Sequence, residues 1–207
     1  CDVSIRPGWF YHAGEDNSVK SVEHLTDLYY KSVGRNATLL LNFPVDTSGR
    51  INPIDSLRAI QWHQRVRQEL SNNLLAGTHP VATNSRGNNF SPDRVIDPDY
   101  NTYWATRDDI TSATLTFTFK EPQAINRLLI QEYIPLGQRV KSFSIEAKVG
   151  DQWKAVNPGE ATTTIGYKRI LRFDTVKAQA IRINFLEARG PLCINNVEAY
   201  HAEIDLN

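Results

Sequence analysis

The chain has 207 residues, 41% of them hydrophobic, with 23 basic and 23 acidic side chains. That length fits one or two domains, and the balanced charge argues against a general electrostatic surface for nucleic acid or membrane. No window approaches the run of about 18 uninterrupted apolar residues that marks a membrane-spanning helix.

The opening CDVSIRPGWFYH lacks a basic region followed by an apolar core, so it is not a signal peptide. The chain has no Met at all, and it starts inside what reads as a strand, so it is expected to be the remainder of a longer polypeptide. Cys1 and Cys193 fall in different halves and leave the redox compartment open.

Val3-Ser4-Ile5 reads as a short extended segment. A loop rich in large rings, Arg6-Pro7-Gly8-Trp9-Phe10-Tyr11-His12, follows it and continues through Glu15, Asp16 and Asn17. A helix starts at Ser18 or Ser21, with Val22, Leu25, Leu28, Tyr29 and Val33 at helical spacing, and Gly34 stops it. Thr38-Leu39-Leu40-Leu41 is a continuous apolar run, which suits a strand covered on both faces. Pro44, Asp46 and Gly49 then return the chain to a loop, so Asn42 stands at the strand's carboxyl end, where β/α proteins place chemistry. Asn52, Pro53 and Asp55 form a helix start signal. Ile54, Leu57, Ile60, Trp62, Val66 and Leu70 make its apolar stripe, and Arg58, Gln61, Arg65, Gln68 and Glu69 its wet face. Asn36-Ala37-Thr38 matches a glycosylation acceptor, but the mouth of a buried strand is a poor place for one.

Past Gly77-Thr78-His79-Pro80 the period changes from helical to alternating. Strands are expected at 113–119, 125–131, 140–149, 153–156, 167–173, 180–185 and 193–200, separated by turn residues, which argues for a β-sandwich. The expected domains are therefore 1–76, an α/β fragment, and 77–207, an all-β sandwich. The first of these cannot close a core by itself. Ordering costs about 1.5 kcal/mol per residue and apolar burial returns about 25 cal/mol per Å², so two strands and two helices with apolar faces need partner strands from outside the 207 residues.

The residues SIRPGWFYH (4–12), EDNSVKSVEHLTDLYYKSVGRNATLLLN (15–42) and FPVDTSGRI with Asp55 (43–55) resemble the end of the catalytic domain of the family 29 glycoside hydrolases, the retaining α-L-fucosidases. This resemblance implies the final elements of a (β/α)8-like barrel. It also implies an exo-acting enzyme that releases terminal α-linked L-fucose from glycans by double displacement. In that family the nucleophile comes from an earlier strand, and the acid/base is expected just upstream of Cys1, so no catalytic residue is assigned here. Asp46 reads as a turn residue, and Glu15 and Asp16 as acids at a helix start. Trp9, Arg6, His12 and Asn42 are the expected substrate-binding residues: the ring for the sugar's apolar face, the others for hydroxyls or for orienting a carboxylate.

From Pro80 on, Ala82–Ser85, Val95–Trp104, Ile125–Ile130, Phe143–Val149 with Trp153, and Cys193–Tyr200 resemble the discoidin-like, coagulation-factor-type C modules, which include carbohydrate-binding members. That resemblance implies a calcium loop with Asp97, Asp99, Thr102 and Glu198 as oxygen donors. Two readings of this domain stand, a glycan site built on rings such as Tyr100, Tyr103, Tyr133 and Tyr167, or a structural and interdomain element. The implied partners are a fucosylated glycan and the rest of the barrel, with neither nucleic acid nor membrane. The implied compartment is secreted, periplasmic or lysosomal. The rival classes are a non-catalytic carbohydrate-binding or adhesion module with a helical prefix, and an inactive structural fragment.

Overall fold

The computed structural model describes residues 1–203 and separates into two compact units, one over Cys1–Ser71 and one from Asn72 onward. The break at Ser71 precedes the expected boundary at 76.

In the first unit, strands β1 (Asp2–Ser4) and β2 (Leu40–Asn42) pair in parallel, with Asp2 opposite Leu40 and Ser4 opposite Asn42. The strand expected at 38–41 is thus shifted toward Asn42, with the Leu40 N–H donating to the Cys1 carbonyl at 2.8 Å where the pairing begins. Leu40 is 63% exposed, since β1 is the neighbour of β2 among the described residues. The Asn36-Ala37-Thr38 acceptor is likewise open to solvent rather than sheltered.

Helix α1 (Val22–Ser32) is capped by Ser21, whose Oγ accepts the His24 N–H at 3.1 Å, so the start falls at the second of the two expected serines. Leu25 and Tyr30 are buried. Thr26 and Ser32, also buried, return their hydroxyls to the Val22 and Leu28 carbonyls at 2.7 and 2.6 Å, which satisfies them inside the helix. Gly34 ends the element because a Cβ there would lie 2.5 Å from the Tyr30 carbonyl oxygen.

Helix α2 (Pro53–Glu69) starts as read, with Asn52 Oδ1 accepting the Ile54 N–H at 2.9 Å and Pro53 in the first turn. Its faces depart from the expectation in part: Trp62, Val66 and Leu70 are half-buried and Gln61 and Gln68 exposed as read, but the start of the stripe is open. Ile54, Leu57 and Ile60 are 40%, 56% and 55% exposed, whereas Asp55 and Glu69 are buried. The charged groups are buried because each has a partner: Asp55 holds Arg6, while Glu69 accepts from Arg65 Nε at 2.6 Å and from the Tyr30 hydroxyl at 2.7 Å.

The second unit is antiparallel throughout. Its elements are β3 (Val81–Ala82), β4 (Trp104–Ala105), β5 (Ala113–Glu132), β6 (Val140–Val149), β7 (Gln152–Val156), β8 (Arg169–Ala188) and β9 (Cys193–Tyr200). The strands expected at 113–119 and 125–131 are one continuous β5, and those at 167–173 and 180–185 are one β8. Both break register where Thr118–Ala180 gives way to Gln123–Ala178. The amino-terminal half of β5 takes β3, and its other half takes β9. β6 joins the carboxyl-terminal half of β8. Each long strand therefore serves two layers and folds over at the break. Trp104, Leu115, Phe117, Ile125, Leu128, Phe143 and Phe185 fill the space between, all under 2% exposed.

One buried side chain organises an end of this sandwich. The Glu132 carboxylate accepts the backbone N–H groups of Arg139 and Val140 at 2.7 and 2.9 Å on one oxygen. It accepts that of Gly166 at 2.7 Å on the other. A single acid thus satisfies amides from two loops that no ladder could reach.

Candidate functional site

The loop after β1 lies at the carboxyl end of the β1–β2 pair. Asn42, the last residue of β2, donates through Nδ2 to Ser4 Oγ and to the Trp9 carbonyl, both at 3.1 Å. Trp9 and Phe10 are 52% and 78% exposed, and His12 is exposed beside them. The structure therefore ties Asn42 to the Trp9 backbone, while His12 lies three residues further along the same loop. A flat exposed ring there can take the apolar face of a small ligand, with imidazole and amide groups for its polar edge.

Arg6 belongs to the same loop but does not act as expected. It is fully buried, and its Nε and Nη2 grip both Asp55 oxygens at 2.8 and 2.9 Å. Asp16 adds a charge contact at 2.8 Å, the His12 carbonyl accepts from Nη1 at 3.4 Å, and the Tyr11 ring lies 4.7 Å below the guanidinium. The Asp55 bonds, ahead of the opposing effect of burial, raise the Arg6 pKa. With its donors committed, Arg6 is a clamp that fixes the loop's shape, in place of a substrate contact. Sequence reading missed the clamp because Asp55 stands 49 positions away, with nothing local to pair them.

The other carboxylates of this unit are also occupied structurally. Asp46 accepts from Ser48 N, Ser48 Oγ and Arg50 N at 2.8, 2.6 and 3.1 Å. The Ser48 hydroxyl first, and then the Arg50 amide, hold its pKa below the usual carboxylate value.

In the second unit, Asp97, Asp99 and Thr102 share one turn. Thr102 Oγ1 lies 2.9 and 2.7 Å from the two Asp97 oxygens and 3.0 Å from the Asp99 carbonyl. One hydroxyl proton cannot satisfy three such oxygens. Glu198 is engaged elsewhere, by the Tyr200 hydroxyl and by Asn196 Nδ2. Asn195 comes to the turn instead, donating to the Tyr100 carbonyl at 3.2 Å, while its buried Oδ1 has no hydrogen-bond partner. Among the described residues no three His, Cys, Asp or Glu side chains are grouped for a metal. Any cation here would rest on carbonyl, hydroxyl and amide oxygens beside Asp97, a donor set that suits calcium.

Of the tyrosines, Tyr103 is packed between Phe90 at 5.1 Å and Tyr133 at 4.3 Å, and burial raises its pKa. Tyr100 and Tyr167 are 58% and 64% exposed. Cys1 and Cys193 are free, and burial raises the Cys193 pKa, which keeps it a thiol.

Residues 80–198 match the model of the F5/8 type C domain. Alpha-L-fucosidase 1 of Arabidopsis thaliana is 37% identical over 206 residues, 97% of this chain and 40% of that protein. A Ruminococcus gnavus GH29 fucosidase, solved in complex with fucose, superposes with a TM-score of 0.88 at 30% identity, over 98% of this chain and 41% of that one. A glycoside hydrolase 29 family member from an unknown rumen bacterium is 36% identical with a TM-score of 0.78, over 99% of this chain and 33% of that one. The chain thus spans less than half the length of the relatives it matches. It belongs to the F5/8 type C domain family, and over nearly its whole length it is similar to family 29 α-L-fucosidases.

Proposed function

We propose that these 207 residues are the carboxyl-terminal part of an exo-acting, retaining α-L-fucosidase that removes terminal fucose from glycans. The observation that carries this reading is the uncovered apolar surface of the first unit. Leu40, Val45, Ile54, Leu57 and Ile60 lie outside, as expected of the last elements of a barrel whose other strands and helices are encoded upstream. Similarity to fucosidases runs through both units, which supports the same reading.

In that enzyme, Trp9 packs on the apolar face of the sugar, and His12 and Asn42 meet its hydroxyls. The Arg6–Asp55 clamp holds their loop in register. The nucleophile and the acid/base, about 5 Å apart in retaining enzymes, come from the upstream segment. A calcium ion at the 97–102 turn, held by Asp97, Thr102, the Asp99 and Tyr100 carbonyls and Asn195, would stiffen that turn and takes no part in the chemistry. The compartment that fits the family is secreted, periplasmic or lysosomal.

The test is hydrolysis of an aryl α-L-fucoside by the 207 residues alone and by the same residues preceded by the upstream coding sequence. Turnover is expected in the second case only. Turnover by the short chain, or none by the long one, would overturn the assignment.

A further inference from the structure

The sandwich starts before its first strand. Asn73-Leu74-Leu75, ahead of β3 in the chain, lies along the carboxyl-terminal part of β9, beyond the Cys193 and Ile194 positions that pair with β4. Ala199 stands opposite Leu128 of β5, but its own N–H and C=O turn to the other side. There the N–H donates to Asn73 Oδ1 at 3.2 Å, and the C=O accepts the Leu74 N–H at 2.8 Å. Asn73 Oδ1 also accepts the Leu75 N–H at 3.0 Å, closing an Asx turn. Leu75 is fully buried in the main core, and Leu74 is half-buried against it. The Leu75 carbonyl accepts the Thr78 amide and hydroxyl at 3.0 and 2.7 Å. Asn72, Ala76 and Gly77, on either side, are exposed.

We infer that residues 73–75 are a strap that guards the edge of β9, and that the partner it keeps out is the same edge of a second copy of this chain. An uncovered strand edge offers its N–H and C=O as a template for pairing with another chain. The strap makes those two bonds at Ala199 from within. Leu75 fills the core behind them, so lifting the strap opens the edge and the core together. Once open, the edge can pair with its own copy about a two-fold axis, because one antiparallel patch is then complementary to itself. The strap lies outside residues 80–198, so the folding unit is longer than the span that matches the F5/8 type C domain.

This inference does not depend on the fucosidase reading. The experiment combines amide hydrogen exchange with sedimentation velocity on the 207-residue chain. In the unsubstituted chain, the Leu74 and Ala199 amides are expected to exchange as slowly as that of Leu128, since all three open only with the sandwich. Asn73→Ala should speed exchange at Ala199 about tenfold relative to Leu128, the scale of one lost hydrogen bond. Leu75→Ala should release the whole strap. Either variant should shift the sedimentation profile toward dimer relative to the unsubstituted chain, and Ser71→Ala, just before the strap, should do neither. Asn73→Ala removes no core group, so it keeps the test decisive if Leu75→Ala fails to fold. An Ala199 amide that exchanges as fast as that of Asn72 in the unsubstituted chain would overturn the strap. Faster exchange at Ala199 in Asn73→Ala without added dimer would overturn its role as a guard.

Discussion

The two units of this chain solve the burial problem in opposite ways. From Asn72 onward, the interior is aromatic and aliphatic, and polar groups inside it, Asn195 Oδ1 excepted, are largely satisfied by ladders, by Asn amides or by the Glu132 carboxylate. In Cys1–Ser71 the most buried side chains include Arg6, Asp55 and Glu69, while tryptophan, phenylalanine, leucine and isoleucine line the outside. Hydrophobic burial drives folding roughly in proportion to area. The second unit therefore carries its own driving force, and the first adds a few paired charges to a small apolar interior of Ile5, Leu25 and Tyr30. A unit organised in this way has specificity without surplus stability.

Three substitutions sharpen the contrast. The largest effect is expected from Trp104→Ala, which empties a fully buried site and orphans the Asn84 carbonyl that the indole binds at 3.0 Å. Loss of about 3–5 kcal/mol should unfold the sandwich in a denaturant titration followed by tryptophan fluorescence. Asp55→Ala comes next, since it strands the buried Arg6 cation. A cost of about 3 kcal/mol, seen as early hydrogen exchange confined to 1–71, is expected, with Asp55→Asn milder. If Asp55→Ala left exchange in that unit unchanged, the clamp would not be what holds it. The smallest effect is expected from Leu57→Gln on the outer face of α2. Within about 0.5 kcal/mol stability should not move, while self-association by light scattering should fall.

Much of this architecture was legible because it is local. The Asn52-Pro53 helix start, the stop at Gly34 and the alternating strands each follow from a few adjacent residues. The faces of α2 were legible only in part. Ile54, Leu57 and Ile60 do form a stripe, but periodicity reports only that a face is apolar and not what covers it. The same limit hid the role of Arg6, since a clamp to Asp55 depends on how strand and helix come together. At the 97–102 turn, Asp97, Asp99 and Thr102 were readable from their spacing, whereas Asn195 arrives from the last strand and Glu198 turns to Tyr200. The joining of four expected strands into β5 and β8 was missed for a related reason. A bend at a register break resembles a turn when only polarity is read.

The Glu132 carboxylate has a consequence for how this module can diversify. Because one side chain anchors the amides of Arg139, Val140 and Gly166, the ends of two loops are fixed independently of what lies between them. The exposed residues Ile134 and Leu136, with Gly137 at φ 89° completing their turn, can then be exchanged for longer or differently shaped segments without moving the start of β6. Glu132 is thus the residue to keep in any attempt to graft a new recognition loop onto this sandwich, and the first one whose loss would end such tolerance.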